Sequence, residues 1–368
     1  MKVREIVEVL ERIAPPQLAA DWDNVGLLVG DADADVRKLL LTIDLSAGVL
    51  AEARQVRAGM VMAYHPLIFK PLSRLTASDA PVAYEAVRRG LSVYAMHTAL
   101  DAAPGGTNDV LAEVLGLRDC RPLSPIAADE ECKIVTFVPS EDVSRVAQAA
   151  FDAGAGRVGN YYDCGFFCHG IGAFCGGEDS QPVVGQAGRH EVAEELRFET
   201  VAPRACANHV AAAVRDAHPY EEPVVDVYPL VGGAAQAGMG RIGPLQRPVT
   251  AQTLIDRVKK ALGLKRVLVA GRPAGKRQPK ITTAACCAGS CGSMFRSAAA
   301  AGAGFYLTGE MRHHDALAAA AAGMTVVCTG HSNSERITLS RLAERLGEEL
   351  PKLNVAVSAR DRDPFEIV

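Results

Sequence analysis

The sequence predicts an α/β protein in which two similar α/β halves are separated by an inserted α+β domain of the ferredoxin-like type. Three observations favour this class. The chain has 368 residues, which is more than a single hydrophobic core usually serves. Short apolar runs alternate with helix-length amphipathic segments near both ends of the chain. Between residues 133 and 229 the order changes to strand–helix–strand, repeated once. We therefore expect domains at residues 1–126, 127–232 and 233–368.

The N-terminal half begins with an amphipathic helix whose apolar residues recur every three or four positions and which ends before a Pro-Pro pair. The predicted elements are a helix at 3–14, a strand at 38–44, a helix at 47–57, a strand at 59–63, a helix at 81–89 and a strand at 91–96. Polar residues end or follow these strands, namely Asp44, His65 and His97. This placement matters because ligands of open α/β sheets gather beyond the carboxyl ends of the strands.

The middle of the chain has a different rhythm. It predicts strands at 133–139, within 156–174, at 195–201 and at 223–229, with helices at 141–153 and 205–217. This order is typical of a ferredoxin-like unit. The segments 122–129 and 231–243 are rich in turn residues and are predicted to be linkers. The HPYEEP segment at 218–223 is interpreted as a turn that fixes the last strand, with a second metal site as the alternative.

The C-terminal half returns to alternating elements. We predict helices at 250–262, 293–301 and 312–322 and from 331 through 350, and strands at 267–270, 281–287, 305–308 and 325–328. The strand at 325–328 is followed directly by Gly330 and His331, so this histidine is also expected at a sheet's carboxyl edge.

Composition excludes several classes of protein. The formal net charge is −4, which removes a bulk electrostatic attraction to nucleic acid, so nucleic acid is an improbable partner. No run of about 18 apolar residues is present, and the first residues lack a signal-peptide pattern, so we expect no membrane span and a cytoplasmic location. The ten cysteines are then expected to be reduced.

Histidine and carboxylate pairs point to metal chemistry. His331 and Glu335 are four residues apart, which on a helix places both side chains on one face. His97 and Asp101 repeat this spacing in the N-terminal half, and His65 ends another strand. Imidazole and carboxylate ligands suit Zn, Fe, Mn, Ni or Co. The residues alone therefore predict a divalent-metal site.

Several segments, taken in order, resemble one known family. They are DWDNVGLLVG at 21–30, HPLIFKPL at 65–72, HTALDAAPGG at 97–106, HPYEEP at 218–223, LTGE at 307–310, HDA at 314–316, and Gly330-His331 with Glu335. The chain is similar to the NGG-interacting-factor-three-like family, whose members are often called GTP cyclohydrolase 1 type 2 homologues. The stretch 132–230 resembles the PII/CutA-like domain inserted in its long form.

The resemblance implies a dinuclear divalent-metal site, with Zn, Fe or Mn, between the two α/β halves. By position, His65, Asp101, His331 and Glu335 would be ligands, with Glu335 bridging two ions. His97 and His314 would lie beside the site as auxiliary ligands or proton carriers. It also implies a homo-hexameric ring.

The chain departs from the family at Tyr64, where a histidine usually precedes His65. The Tyr64 phenol could replace that imidazole as a ligand, or a water could take its place. Alternatively, Tyr64 only packs or hydrogen-bonds near the site.

Two functions follow from these residues. The first is a metal-dependent hydrolase of an unidentified small molecule, in which His97 or His314 carries protons, since the imidazole pKa lies near neutrality. The alternative is a non-catalytic metal-binding regulatory or interaction protein whose inserted domain senses a ligand or gates the cavity. A nucleic-acid scaffold is a weaker third interpretation, because the net charge is negative.

Overall fold

The computed structural model describes residues 1–126, 131–230, 236–271 and 279–366. The chain divides into two compact units, one made of Met1–Ile126 with Ala235–Val368 and the other made of Ala127–Ala234. The proposed domain boundary at 232/233, and residues 127–129 and 231–235 of the predicted linkers, lie outside the described residues.

The regular elements are as follows. The helices are α1 (Val3–Ile13), α2 (Ala47–Gln55), α3 (Pro81–Arg88), α4 (His97–Ala102), α5 (Thr107–Leu115), α6 (Val143–Asp152), α7 (Ala207–Ala217), α8 (Ala251–Ala261), α9 (Phe295–Ala300), α10 (His313–Ala321) and α11 (His331–Glu349). The strands are β1 (Gly26–Val29), β2 (Lys38–Thr42), β3 (Met60–Ala63), β4 (Ser92–Ala95), β5 (Arg121–Pro125), β6 (Glu131–Val138), β7 (Gly165–Cys175), β8 (His190–Pro203), β9 (Val225–Pro229), β10 (Gly238–Val249), β11 (Leu268–Ala270), β12 (Ile281–Cys287), β13 (Phe305–Thr308), β14 (Thr325–Cys328) and β15 (Asn354–Val357).

The first sheet has the order β1-β4-β3-β2-β15. Its pairs are parallel except β1 with β4. Every residue of β3 and β4 is buried, as expected for parallel strands covered on both faces. The parallel strands end at a common edge, and His65 and His97 follow there.

The second sheet has the order β11-β14-β13-β12-β10-β5. Its inner strands β12, β13 and β14 are parallel, and β11, β10 and β5 run antiparallel to their neighbours. At the carboxyl edge of β14, the chain turns through Gly330, whose φ is +88°, into α11. Glycine suits this backbone conformation because a Cβ atom would be strained.

The two α/β halves exchange strands. The C-terminal β15 completes the first sheet beside β2, and β5 from the N-terminal half completes the second beside β10. The expected halves are therefore interlocked within one unit, whereas the mixed α/β class itself is confirmed.

The buried side chain of Arg241 connects β10 to α5 and to the backbone after α4. Its side chain is 2% exposed and donates to both carboxylate oxygens of Asp109 on α5, at 2.6 and 2.8 Å. It also donates to the backbone oxygens of Gly238, Gly240 and Ala103. A buried guanidinium is tolerated when its donors are satisfied in this way.

The second unit contains one antiparallel sheet of order β7-β8-β6-β9 with the helices α6 and α7. Its connectivity, strand–helix–strand–strand–helix–strand, is that of a ferredoxin-like unit. One face of the sheet packs against the two helices around Ile134, Val146, Phe198 and Val210.

Some predicted elements were wrong or absent. The predicted linker 231–243 includes the start of β10, an inner strand of the second sheet. Its glycines indicate a turn in the sequence, but in the structure they are required by packing within the sheet. Gly240 has φ of +65°, and a Cβ atom there would lie 2.8 Å from a backbone oxygen. The prediction missed β1, β5, β15, α4 and α5. In place of several short strands within 156–174, the structure has the single long strand β7.

No helix among the described residues has the length and apolar character needed to cross a bilayer. The prediction of no membrane span agrees with this finding.

Candidate metal centre

Three side chains converge at the carboxyl edges of the two sheets in the first unit. His65 follows β3, whereas His331 and Glu335 occupy the first turns of α11. One potential ligand atom from each of these residues lies within 4.8 Å of the other two. His65 Nε2 is 3.3 Å from Glu335 Oε2, and His331 Nε2 is 3.3 Å from Glu335 Oε1. Glu335 thus stands between two imidazoles.

Two atoms of this cluster lack hydrogen-bond partners among the described residues. His65 Nε2 and Glu335 Oε2 are both buried, and they face each other without hydrogen-bond geometry. Buried polar atoms are nearly always satisfied, so an unsatisfied pair points to a missing partner. A cation between an imidazole nitrogen and a carboxylate oxygen would satisfy both.

Gly289 leaves space beside these atoms. A Cβ atom at residue 289 would lie 2.8 Å from Glu335 Oε1 and 3.5 Å from His331 Nε2. The backbone φ of Gly289 is +66°. The residue therefore permits both the local turn and the close approach of the backbone to the cluster.

The outer nitrogens of both histidines contact carboxylates. His65 Nδ1 is 2.9 Å from Asp44 Oδ1, and His331 Nδ1 is 3.4 Å from Glu310 Oε2. Each contact turns Nε2 towards Glu335. Carboxylates in this outer position orient the imidazole ligands of metal sites and increase their basicity.

These neighbours change the pKa values of the cluster. Burial lowers the pKa of His65, but Asp44 and Glu335 outweigh it and raise that pKa to about 10. The contact with Glu335 raises the pKa of His331 to about 9, against the effect of burial. Burial raises the pKa of Glu335, but the two imidazoles dominate and the net pKa is lowered. In the absence of an ion, the positive charge of the two imidazoles and the negative charge of Glu335 therefore stabilise each other.

Tyr64 and Asp101 form a buried pair beside the cluster. The Tyr64 hydroxyl donates to Asp101 Oδ1 and lies 2.8 Å from Thr107 Oγ1. Burial raises the pKa of Asp101 to about 6, and the charge of Glu335 adds to this effect. Burial also raises the pKa of Tyr64 well above 10, with Asp101 contributing, so the phenol keeps its proton. Neither residue belongs to the three-residue cluster.

His97 lies next to His65, with ring centroids 5.2 Å apart. Its Nδ1 is 2.7 Å from Asp23 Oδ1, and Asp23 Oδ2 accepts a hydrogen bond from the Thr98 backbone at 3.1 Å. His97 has φ of +28°, an uncommon conformation for a residue with a side chain. Burial raises the pKa of Asp23, but the hydrogen bonds from His97 and Thr98 lower it overall.

His314 is placed differently. It lies on the exposed first turn of α10, with its ring 5.4 Å from that of His313. It is not a member of the His65, His331 and Glu335 cluster. The family resemblance implied a place beside the site for His314, whereas its ring contact in the structure is with His313.

Some residues of the site were not chosen from the sequence. Asp44 and Glu310 contact the two cluster histidines, Asp23 orients His97, and Gly289 makes room. Asp44, two residues after the end of β2, gave a usable signal, because like the histidines it follows a strand. Gly289 gave none, since close backbone approach cannot be recognised in one glycine.

The residues present fit a divalent metal ion. Two imidazoles and one carboxylate form a common donor set for such ions, with further coordination positions left to solvent or substrate. The unsatisfied atoms and the clearance at Gly289 support this fit.

Comparison with known proteins places these residues in a family context. A family model described as Duf34/NIF3 (NGG1p interacting factor 3) matches residues 1–364. A protein of Halalkalibacterium halodurans named GTP cyclohydrolase 1 type 2 homolog is 34% identical over 370 residues, which cover 99% of this chain and 98% of that protein. A Mycobacterium tuberculosis protein of the same name is 35% identical over 320 residues, with 86% and 83% coverage.

Solved structures agree with these matches. A Bacillus cereus protein related to NIF3 is 35% identical, with a TM-score of 0.74 and coverage of 100% of this chain and 99% of that chain. A Staphylococcus aureus protein is 26% identical, with a TM-score of 0.82 and the same coverage.

Proposed function

The chain belongs to the Duf34/NIF3 family, and on that premise we propose that it binds a divalent metal ion through His65, His331 and Glu335 and uses it to hydrolyse a small molecule. One observation carries this proposal. Side chains that follow β3 and lie on α11 converge, and a buried imidazole nitrogen and a buried carboxylate oxygen among them have no hydrogen-bond partner among the described residues. A purely structural cluster would satisfy these atoms.

The ion would supply Lewis acidity towards a carbonyl, ring carbon or phosphoryl oxygen of the substrate. The protein's own residues do the rest. Asp44 and Glu310 orient the two imidazoles, and the hydrogen bond from Tyr64 to Asp101 fixes a second buried carboxylate next to them. A count of two ions, with Asp101 as a further ligand, remains a prediction from the resemblance.

His97 is the better candidate for proton transfer. Asp23 holds its Nδ1, which leaves Nε2 as the ring atom that can exchange a proton, and His65 is its neighbour. His314 remains a second candidate, but its exposed position on α10 gives it less support.

A cavity of about 700 Å³ supports a small-molecule substrate. Its lining includes Glu310 and Gly330, which adjoin His331, together with Ser290, Ser293 and Arg312. Ligand sites usually have volumes of about 300–1,000 Å³. The name of the relatives makes GTP the first substrate to test.

The non-catalytic alternative is supported by the second unit. It has its own hydrophobic core and its own cavity, as expected for a module that binds a ligand. In that case the metal would serve structure or regulation. As part of this proposal, the second unit is a PII/CutA-like domain and the protein assembles as a homo-hexamer. The ten cysteines of the whole chain are unpaired, which supports a cytoplasmic location as part of the proposal.

The test combines metal analysis with substrate turnover. We expect purified protein to contain a divalent metal, and His65→Ala and Glu335→Ala to lose most of it. His209→Ala removes an exposed histidine of α7 and should keep it. Metal-loaded wild-type protein is then assayed with GTP, phosphoesters and cyclic amides. Unchanged metal content in both site variants would refute the centre. Retained metal without turnover would favour the regulatory alternative.

A further inference from the structure

The second unit contains a cavity that the metal centre does not explain. It has a volume of about 620 Å³ and lies over the face of the sheet opposite the helices α6 and α7. Phe137, Phe174 and Tyr220 contribute aromatic surface to its lining, and Ile171 and Val183 are 75% and 59% exposed. Apolar side chains open to solvent in a cavity of this size are typical of ligand sites.

A buried carboxylate lies in this lining. Glu195 of β8 is only 9% exposed, and its Oε1 accepts a hydrogen bond from the Tyr220 hydroxyl at 2.8 Å. Among the described residues, Glu195 has neither an ion-pair partner nor a second hydrogen bond. Its second oxygen, Oε2, is therefore free to accept a charge-assisted hydrogen bond from a ligand in the cavity.

The neighbouring strand is shaped around this carboxylate. A Cβ atom at Gly172 of β7 would lie 2.2 Å from Glu195 Oε2, so the glycine is what allows the carboxylate to occupy this position. By contrast, a Cβ atom at Gly170, directly opposite Glu195 in the sheet, would meet only its backbone oxygen, at 3.9 Å.

The remaining charges favour a cationic ligand. Glu221 and Glu222 also line the cavity, and the guanidinium there is that of Arg197. Arg197 already donates to Glu199 at 3.2 and 3.3 Å and stacks over the Phe137 ring. Glu199 also pairs with Lys133.

In the neighbouring HPYEEP turn, the histidine makes hydrogen bonds within the protein through both ring nitrogens. His218 contacts the Phe137 oxygen through Nε2 and accepts from the Tyr220 backbone through Nδ1. Both of its ring nitrogens are therefore engaged, which disfavours the earlier alternative of a second metal site on this turn.

We propose that this cavity binds an organic amine with an apolar body, whose ammonium group pairs with Glu195 while its body packs against Phe137, Phe174 and Ile171. Charge-assisted hydrogen bonds to a carboxylate and the attraction of a cation to aromatic faces both favour this class. The site goes beyond the proposed hydrolase function and does not depend on it.

The test uses the full chain and 2-phenylethylamine as the probe, with binding followed by saturation-transfer NMR and calorimetry. The neutral isostere 2-phenylethanol should bind much more weakly. Glu195→Gln keeps the shape and the Tyr220 contact but removes the charge, and it should weaken amine binding about tenfold or more. Glu194→Gln changes an exposed neighbour outside the cavity lining and should bind as the wild type does.

A second pair of variants tests the geometry independently. Gly172→Ala should weaken amine binding, and Gly170→Ala should not, because only the first methyl group collides with the Glu195 carboxylate. Circular dichroism would establish that each variant is folded. Equal binding of amine and alcohol, or no binding of the amine because another copy of the chain covers this face, would overturn the proposal.

Discussion

The imidazole of His65 and the carboxylate of Glu335 belong to opposite ends of the polypeptide, yet His65 Nε2 and Glu335 Oε2 are 3.3 Å apart. The C-terminal strand explains how they meet. The helix α11, which carries Glu335, leads into β15, and β15 pairs with β2 next to the strand that precedes His65. Leu339, Leu342 and Leu346 of α11 are buried in the core of the first sheet. The contact therefore rests on the fold of the whole unit.

Gly289→Ala should weaken metal binding by crowding the cluster. The added methyl group would lie 2.8 Å from Glu335 Oε1, and the positive φ adds strain of about 1–2 kcal/mol. Gly263→Ala is the matched control, because Gly263 has φ of +67° and open space around its Cβ position. Metal titration of both variants separates crowding from strain. Equal metal affinity in the two variants would show that Gly289 is a turn residue only.

Glu335→Gln should lower the pKa of both cluster histidines in metal-free protein. The pKa is about 10 for His65 and about 9 for His331, and Glu335 contributes to both. Without its charge, both values should move towards the ordinary value of about 6.5. As selective controls, Asp44→Asn should affect mainly His65, and Glu310→Gln mainly His331. NMR titration of the imidazole resonances measures each value, and an unshifted pair would disprove the coupling.

The same shifts predict the pH dependence of stability. A histidine whose pKa is raised in the folded protein stabilises the fold fully below pH about 6.5. This contribution is lost as the pH rises through the folded values of about 9 and 10. The metal-free wild type should therefore lose unfolding free energy over that window, and Glu335→Gln should lose less. Urea unfolding at a series of pH values measures the difference, and parallel curves would contradict it.

Metal binding should release protons near neutral pH. Both cluster histidines are protonated there in the metal-free protein, since their pKa values are about 10 and 9. A metal ion binds only neutral imidazole, so each ligand must first lose its proton. Calorimetric titration with metal in several buffers should give binding heats that change in proportion to the ionisation enthalpy of the buffer. Heats independent of the buffer would mean that these imidazoles do not ligate.

The sequence predicted the strand-end histidines well because their signal is local. His65, His97 and His331 each follow an apolar run, and spacing places His331 and Glu335 on one helical face. It could not predict which carboxylates would face them. Asp44 and Glu310 reach the cluster through the packing of separate elements. Tyr64 likewise gives no sign in sequence that it donates to Asp101.

The fold was predictable to a similar extent. Helices and parallel strands with apolar periodicity were found, but the first half of β10 was mistaken for part of a linker. The glycines of β10 are needed because a Cβ atom would collide with the neighbouring strands β12 and β5, which are distant in sequence. The helix α4 begins at His97 and has only six residues, and α5 begins five residues after it ends, so periodicity could not separate the two helices.

Arg241→Ala should destabilise the first unit strongly, by about 3–5 kcal/mol, because it leaves Asp109 and several backbone oxygens without their donor. Arg12→Ala removes an exposed ion pair with Glu349 and should cost less than about 1 kcal/mol. Chemical denaturation measures both. A small effect of Arg241→Ala would mean that β10 is held by its strand pairing alone.

We expect Tyr64 to limit how much metal this chain can hold. Its hydroxyl donates to Asp101 Oδ1, so this carboxylate oxygen is already engaged, and the buried phenol keeps its proton because its pKa is raised. Tyr64→His would place an imidazole next to Asp101 and Glu335, and we expect more metal per chain by elemental analysis. Tyr64→Phe removes the hydroxyl without adding a ligand and should show no such gain. If Tyr64→Phe gained as much metal as Tyr64→His, release of Asp101 would be the cause; if neither gained, Tyr64 would not limit the metal content.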